Sequence, residues 1–416
     1  MHTKRTGKLW ETGFGWLWLG QAVTALGDRA LGIALPYVVY QQTGSLTSTA
    51  LLALSGYLPG LLFGSVAGVF ADRWDRRWSL VTAQLLQGGI ILLLLAASPE
   101  RLWLTTAVVF AERTLSLLAL PAGAALLPSL VGEAALARAT ARLSVATTTA
   151  RLLGPVLGGA LAAAVGMHGA VVLDAMSFFV AAALFSRLPF LPNHGRGPAP
   201  ASLLASWRSM TREWKDGLRV IGQRRAIGTL FITLSLTSLG GTLVDPYSMG
   251  FVQGVLQANP AQVGLLSSAV GTGTLLGSLL STWAVERFDL RRLVAVGTLL
   301  VGGLMLGLYH QAELPPVLLL GALMGLPMVV ANVAASAMLQ LKTPDRYRGR
   351  VYGALGTSNA LVGVLVTTAA ALIGDRVAAV PMLTLAGILT LMAGMVALAL
   401  PHSSEESPST LPLGRE

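Results

Sequence analysis

Twelve long apolar stretches run through this sequence of 416 residues. A helix needs about 20 mostly apolar residues to cross a lipid bilayer, and each stretch meets that requirement. The stretches cover residues 14–40, 47–71, 78–97, 102–126, 143–165, 168–188, 226–252, 261–285, 293–309, 314–340, 350–374 and 378–400. The fifth and sixth are divided only by the tract Gly166-Met167-His168-Gly169. The sequence therefore predicts an all-α membrane protein with twelve transmembrane helices.

The composition agrees with a chain that lies mostly in lipid. Hydrophobic residues make up 54% of the sequence and charged residues 12%, whereas about 25% charged residues is typical of soluble proteins. The 47 glycines suit close contact between helices, because small residues let two backbones approach. The chain has no cysteine, which excludes disulfides and thiolate metal sites.

Motifs of the common enzyme classes are missing from the sequence. There is no G-x-x-x-x-G-K-S/T loop to bind ATP phosphates, and neither H-E-x-x-H nor G-x-S-x-G occurs. The five histidines lie in tails or loops, away from the apolar stretches' centres. We therefore expect no catalytic residues, no metal and no cofactor.

Lysine and arginine are distributed unevenly between the two sets of loops. Of the 29 basic residues, 23 fall in the N-terminal segment and in alternate loops, whereas the opposite loops hold Arg101 and Arg376. By the positive-inside rule both termini are expected in the cytoplasm, with an uncleaved first span in a plasma membrane. This asymmetry accounts for the net charge of +10, so no nucleic-acid partner is predicted.

Residues 189–225 link the two sets of six spans and contain a second kind of helix. Apolar side chains recur at helical spacing between basic ones, at Trp207, Met210, Trp214, Leu218 and Ile221. This pattern predicts an amphipathic helix on the cytoplasmic leaflet, with an ordinary solvated linker helix as the alternative. The predicted organisation is residues 1–188, the linker, residues 226–400 and a cytoplasmic tail at residues 401–416.

A short internal repeat supports two related halves. The tract Asp72-Arg73-Trp74-Asp75 follows the second span, and Glu286-Arg287-Phe288-Asp289 follows the eighth span 214 residues later. Parallel six-helix repeats build one large class of secondary transporters. The repeat therefore favours two pseudo-repeated six-helix bundles.

Several motifs carry a resemblance to a known family. The spaced residues Gly64, Gly68, Asp72, Arg73, Arg76 and Arg77 resemble the loop 2–3 signature of the major facilitator superfamily, with Asp75 where the general signature has glycine. The span-five pattern Arg151-x2-Gly154-Pro155-x2-Gly158-Gly159 resembles the motif of its drug:proton antiporters. Tracts at residues 213–219 and 348–351 resemble the macrolide-efflux and siderophore-exporter subfamily. The resemblance covers the chain to about residue 400 and implies a monomeric small-molecule transporter.

The two glycine-containing motifs have distinct expected roles. Asp72 ends span two, and we expect it against the N-terminus of span eleven near Arg350, where exposed N–H groups favour an anion. The resemblance implies that this contact is a gate closing the cytoplasmic side; the alternative is a basic loop that sets orientation alone. In span five, Gly154 and Gly158 let a neighbouring helix approach, and Pro155 removes a backbone donor. This motif is either a packing hinge for export or a plain packing motif.

Charged residues inside the spans need an explanation, because each costs about 2.5–3.5 kcal/mol at mid-bilayer on insertion scales. The candidates are Asp28, Arg29, Glu112, Arg113, Arg151, Asp174 and Asp245. Asp28, Glu112 and Asp245 each continue a polar stripe on one helix face. The resemblance implies that these spans, the first, fourth and seventh, line the central cavity.

The acids suggest how transport is driven. We hypothesise that Asp28 or Glu112 carries a coupling proton, tuned by Arg29, Arg113 or Arg151; the alternative is a structural ion pair. The sequence thus predicts a secondary transporter in the lipid bilayer, a proton-coupled exporter of small amphipathic compounds such as drugs, macrolides or siderophores. The alternatives are a lysophospholipid flippase and a passive uniporter of the same fold.

Overall fold

A computed structural model describes residues 12–73, 75–190 and 203–400. The described residues form helices joined by short turns, with no strand among them. The first half comprises α1 (Phe14–Thr43), α2 (Leu46–Arg73), α3 (Arg76–Leu92), α4 (Leu102–Val131) and α5 (Glu133–Phe185). After the linker helix α6 (Leu203–Gly222) come α7 (Arg225–Met249), α8 (Pro260–Arg287), α9 (Leu290–Tyr309), α10 (Leu314–Lys342), α11 (Asp345–Ile373) and α12 (Ala379–Leu398). The side chains at residues 65–74 lie outside this description.

The number of spans follows from a break inside α5. In the described part of the chain, eleven helical segments are long and apolar enough to cross a membrane. One of them, Ala134–Phe185, has 52 residues, which at 1.5 Å per residue is about 78 Å, against about 30 Å of hydrocarbon. At Gly166 the backbone leaves the helix, with φ 68° and ψ −165°, a conformation that glycine adopts most readily. The predicted divider between spans five and six is confirmed, and the twelve predicted spans are present.

The internal repeat corresponds to two equivalent turns. Asp75 caps the N-terminus of α3, because its carboxylate accepts a hydrogen bond of 2.9 Å from the backbone N–H of Trp78. Asp289 does the same for α9, accepting from the N–H of Arg291 at 3.2 Å. A capping acid explains why Asp75 stands where the family signature has glycine.

Helix packing shows the same plan in both halves. In the first half α1 packs along α5, α2 along α4, and α3 against α4 and α5. In the second half α7 packs along α11 and α12, α8 along α10, and α9 against α10 and α12. The halves meet along two seams, α5 with α8 and α2 with α11. Since α8 corresponds to α2, and α11 to span five, the two seams are equivalent under the internal symmetry.

The halves are joined at one end of the molecule. We call the end that carries residues 12 and 400 the terminal face and the opposite end the distal face. At the distal face Tyr37 Oη donates to the carbonyl of Ala258 at 3.3 Å, and Gln253 Nε2 donates to the carbonyl of Tyr37 at 2.8 Å. Thr49 Oγ1 donates to the carbonyl of Pro246 at 2.8 Å. These contacts close the cleft between the halves at that end.

A carboxylate from one half caps a helix of the other at the distal face. Asp375, in the turn after α11, accepts hydrogen bonds from Ser45 Oγ at 2.8 Å and from the backbone N–H of Thr47 at 3.2 Å. These residues begin α2, whose exposed N–H groups carry partial positive charge. The second half therefore holds the first by an acid placed on a helix N-terminus.

The glycines along the α2–α11 seam differ in what they face. Gly363 of α11 lies directly against the ring of Tyr57 on α2. Closer to the terminal face, a Cβ added at Gly64 of α2, or at Gly349, Gly353 or Gly356 of α11, would have no atom within 4 Å. The cleft is therefore closed at the distal face, and the two helices of this seam are in contact at Tyr57 and Gly363.

The linker helix α6 packs against the second half. Its apolar side joins the buried cluster of the second half, where Ile221 is buried and Leu218 partly so. Trp214 Nε1 donates to Ser358 Oγ of α11 at 3.1 Å, and Gly217 lies against the backbone of Arg350. The helix is amphipathic as predicted, and in its described part the apolar face packs on the second half. Its position on the cytoplasmic leaflet stays a prediction. The side chains of Trp207 and Met210 lie outside the description.

Candidate functional site

A cavity of about 430 Å³ lies between the halves, inside the distal closure. Most of its wall comes from α1, α2, α4 and α7, with one residue from span six. Five of the seven charged residues predicted for the site line it: Asp28, Glu112, Arg113, Asp174 and Asp245. The volume suits a small organic molecule, and the wall combines apolar groups with a few convergent charges.

Glu112 is the hub of a buried hydrogen-bond network in the first half. Its Oε1 accepts from Gln87 Nε2 at 3.0 Å and from Ser116 Oγ at 2.8 Å. Gln84 Nε2 in turn donates to Gln87 Oε1 at 3.2 Å. The residue is 5% exposed, so α3 and α4 fix the carboxylate in one position. A carboxyl group held this way is oriented toward the cavity by its neighbours.

Arg113 reaches the remaining oxygen of the same carboxylate. Its Nε lies 3.4 Å from Glu112 Oε2, and its side chain is 47% exposed. Successive residues on a helix point about 100° apart, so the pairing depends on the long arginine side chain folding back. Arg113, the exposed member of this ion pair, therefore faces the cavity, whereas the Glu112 carboxylate is surrounded mainly by protein.

Asp174 of span six lies beside Asp28 of α1. Asp174 is 1% exposed, and a Cβ at Gly27 would come within 2.6 Å of its Oδ1, so glycine at 27 makes room for the acid. Asp28, Glu112 and Asp174 are close enough for their charges to repel one another, and Arg113 attracts all three. The cluster thus sets three acidic side chains against one arginine in a region with little solvent.

Arg29 and Arg151 sit at the edge of this cluster. Both are exposed, they repel each other, and neither lines the cavity. The Cβ of Arg29 packs where α1 crosses Gly154. Arg29 still attracts Asp28 electrostatically. The structure thus brings five of the predicted charges together and places these two outside the cavity wall.

Asp245 is the charged residue among the three residues of the second half that line the cavity. Its Oδ2 accepts a hydrogen bond of 2.6 Å from Tyr57 Oη of α2, which crosses between the halves. Among the described residues, no cationic group lies within ion-pair distance of Asp245. The cavity is therefore bounded by an acid cluster on one side and a single acid on the other.

The span-five glycines lie where three helices meet. Gly154 and Gly158 face α1, and Gly158 lies against the backbone of Ala30. Gly159 faces the other half: a Cβ there would be 3.2 Å from the Cα of Gly264 on α8. The carbonyl of Pro155 lies against Gly264 in return. The motif forms the α5–α8 seam, with backbone on both sides of it.

The described part of the loop 2–3 signature ties the first half together. Arg76 Nη1 donates to the carbonyl of Ala125 on α4 at 3.1 Å, and Arg77 Nη2 donates to the carbonyl of Ser186. Gly64 faces open space. Gly68 and the side chains of Asp72 and Arg73 lie outside the description. The contact predicted between Asp72 and the start of α11 stays a prediction.

Sequence reasoning missed Tyr57, Gln84 and Gln87. The two glutamines stand three apart in the apolar third span, a spacing that puts them on one helix face and was a usable signal. Tyr57 has no such signal, because its role depends on which helix of the other half it meets. Within the described residues, no group of three or more His, Cys, Asp or Glu is placed to hold a metal ion.

Comparisons with known proteins agree with this fold. The sequence profile described as Major Facilitator Superfamily matches residues 17–256 and, overlapping, residues 226–415. The chain is 24% identical over 401 residues to macrolide efflux protein A of Streptococcus pyogenes, which covers 93% of this chain and 95% of that protein. It is 25% identical over 354 residues to multidrug efflux pump Tap of Mycobacterium tuberculosis, covering 80% of each. A crystal structure of a bacterial homologue of the iron transporter ferroportin, in an inward-facing state, matches with a TM-score of 0.71 at 16% identity, covering 94% of this chain and 99% of that one.

Proposed function

The chain belongs to the major facilitator superfamily and is a multi-pass membrane transporter rather than an enzyme, and we propose that it is a proton-coupled exporter of small amphipathic compounds. The export direction is supported by relatives that are named as efflux proteins. We further propose that it works as a monomer in the plasma membrane with both termini in the cytoplasm, so that the distal closure would lie on the outer side of the membrane.

The acid cluster is the observation that carries proton coupling. Three carboxyl groups, Asp28, Glu112 and Asp174, share Arg113 within a largely apolar enclosure. When the cavity faces outward, protons enter and neutralise part of this charge; when it faces inward, they leave to the cytoplasm. Each proton that moves inward down its gradient supplies about 2.3 kcal/mol per 100 mV of membrane potential. This energy drives the compound outward.

In alternating access, the two halves would rock against each other about the α5–α8 and α2–α11 seams. Rocking the halves would break the distal contacts of Tyr37, Thr49 and Asp375 and close the terminal side of the α2–α11 seam. We propose that Asp72 then caps the N-terminus of α11, as Asp375 caps that of α2 in the present state. The two acids would thus close opposite faces of one helix pair.

Efflux from cells and vesicles tests the proposal. Cells expressing the chain are loaded with a panel of macrolides, cationic dyes and siderophores, with and without a proton uncoupler. We expect uncoupler-sensitive efflux of at least one amphipathic class, and proton release from acid-loaded everted vesicles when that compound is added. Efflux that is indifferent to the uncoupler would contradict proton coupling and favour a uniporter. Flipping of lysophospholipid alone in reconstituted vesicles would favour a flippase.

A further inference from the structure

The two walls of the cavity treat charge differently. On the wall of the first half, Arg113 stands among the carboxyl groups and offsets part of their charge. On the wall of the second half, Asp245 has no cation within ion-pair distance among the described residues. This carboxylate therefore lacks the counter-ion that an acid in a membrane interior normally has.

The immediate surroundings of Asp245 leave room for such a counter-ion. Tyr57 Oη donates a hydrogen bond to Asp245 Oδ2, whereas Asp245 Oδ1 has no hydrogen-bond partner among the described residues. Asp245 is exposed, and it lines the cavity. The same stretch of wall includes Pro36, Met249 and the ring of Tyr57, which are apolar surfaces. An ion with an apolar body would be held by both features.

We propose that Asp245 and Tyr57 form the binding site for the cationic group of the transported compound, whose class is then amphipathic organic cations. The carboxylate supplies the charge, and the face of the Tyr57 ring supplies a cation–π contact. This assignment rests on the proposed function in taking the cavity as the transport site. It separates two jobs: the acids of the first half bind protons, and the acid of the second half binds the substrate.

The site also links binding to movement. The hydrogen bond from Tyr57 to Asp245 joins α2 of the first half to α7 of the second. A cation bound to Asp245 weakens this hydrogen bond, because it offsets the negative charge of the carboxylate that accepts it. Substrate binding thereby loosens the distal closure from within the cavity. A neutral compound has no such effect.

Equilibrium binding to the purified full chain tests the assignment without any transport step. The probes are tetraphenylphosphonium, a permanent cation, and triphenylphosphine oxide, a neutral compound of related shape, each titrated calorimetrically in detergent at pH 7.5. We expect Asp245→Asn to weaken tetraphenylphosphonium binding at least about tenfold, the scale of losing one charge-assisted contact. Binding of triphenylphosphine oxide is expected to be unchanged, and Asp245→Glu to retain most of the cation affinity.

Matched variants identify the two contributions. Tyr57→Phe keeps the ring and frees Asp245, so cation binding is expected to be equal or tighter; Tyr57→Leu removes the ring and weakens it. Asp289→Asn is the control, because Asp289 caps α9 outside the cavity wall and asparagine also caps helices; this variant is expected to bind both probes as the wild type does. Size-exclusion profiles and Tm establish that each variant is folded.

Two results would overturn the assignment. One is wild-type protein that binds the cation no better than the neutral probe; the other is folded Asp245→Asn and Asp245→Glu proteins that both bind the cation normally. Uncoupler-sensitive efflux of neutral compounds alone would remove this inference and leave the proposed function intact. Asp245-dependent cation binding combined with uncoupler-insensitive efflux would do the reverse.

Discussion

In each half the first and last membrane-spanning helices cross at a glycine of the first helix. The two crossings differ in the side chain that packs against this glycine. In the first half, Gly27 of α1 makes room for Asp174 and Ser177 of span six. In the second half, Gly240 of α7 makes room for Thr390 of α12, whose Oγ1 would lie 2.6 Å from an added Cβ. Thr390 donates its hydroxyl hydrogen within its own helix, to the carbonyl of Ala386 at 2.9 Å. The crossing therefore forms without an acid.

This difference shows which part of the role of Asp174 is structural. A buried acid is not required for the helix contact, because a threonine serves in the equivalent place. The charge of Asp174, and by extension the cluster it joins, contributes something other than packing. Since a buried charge is costly to retain, the asymmetry supports a role in transport for the first half's acids.

The largest effect is expected when one acid of the cluster in the first half is replaced by its neutral amide. We expect Asp28→Asn or Glu112→Gln to abolish proton-driven efflux while the protein still inserts, because the proton site is lost. Thr390→Val, at the equivalent crossing of the second half, is the control and should keep transport. The readout is substrate-induced proton release from everted vesicles, with insertion checked by membrane fractionation. Unchanged efflux in both acid variants would refute the coupling role.

A second test adds one methyl group at each crossing. Gly27→Ala and Gly240→Ala both introduce a clash, and each is expected to lower stability by about 1–3 kcal/mol. Gly27→Ala should additionally impair proton-driven efflux, because it displaces the Asp174 carboxylate. Thermal unfolding in detergent and vesicle transport measure the two effects. Equal loss of transport in both variants would show that the crossings matter only for packing.

The distal contact of Asp375 can be tested with a single reporter, because the chain contains no cysteine. In a Gly32→Cys background, which places a thiol on the cavity wall, we expect Asp375→Asn to raise labelling from the distal side by about three- to tenfold. The reason is the loss of its charged hydrogen bonds to Ser45 and Thr47. The rate of reaction with a membrane-impermeant maleimide measures the change. An unaltered rate would mean that the other distal contacts suffice.

The smallest expected effect comes from Asp72, at the end of α2 on the terminal face. Asp72→Asn should slow turnover by about two- to fivefold, the worth of one acid at a helix N-terminus. Binding of tetraphenylphosphonium and triphenylphosphine oxide should stay as in the wild type. Initial efflux rates and calorimetric binding give the two quantities. A normal rate would remove Asp72 as a gate and leave the signature with its orienting role.

The sequence predicted features that one helix can encode. The divider at residues 166–169, the twelve spans and the polar stripes of Asp28, Glu112 and Asp245 follow from local pattern, because length and 3.6-residue periodicity are properties of a single helix. That these stripes face one cavity was implied by the family resemblance. The partners of those acids were not predictable in the same way. Tyr57 meets Asp245 across 188 residues of chain, and α6 packs its apolar face on the second half. Such contacts depend on how helices rotate and cross.

The α5–α8 seam has a kinetic consequence. It is made of backbone lying on backbone, with Gly159 and Gly264 facing each other and Ser268 Oγ donating to the carbonyl of Leu152 at 2.6 Å. A surface with few large side chains has few rotamers to reorder when it shifts, so tilting costs little conformational entropy. Small displacements exchange one set of weak dispersion contacts for another of similar strength. In the proposed rocking of the halves, this seam would therefore contribute little to the activation barrier, and the contacts at the two faces of the molecule would contribute most of it.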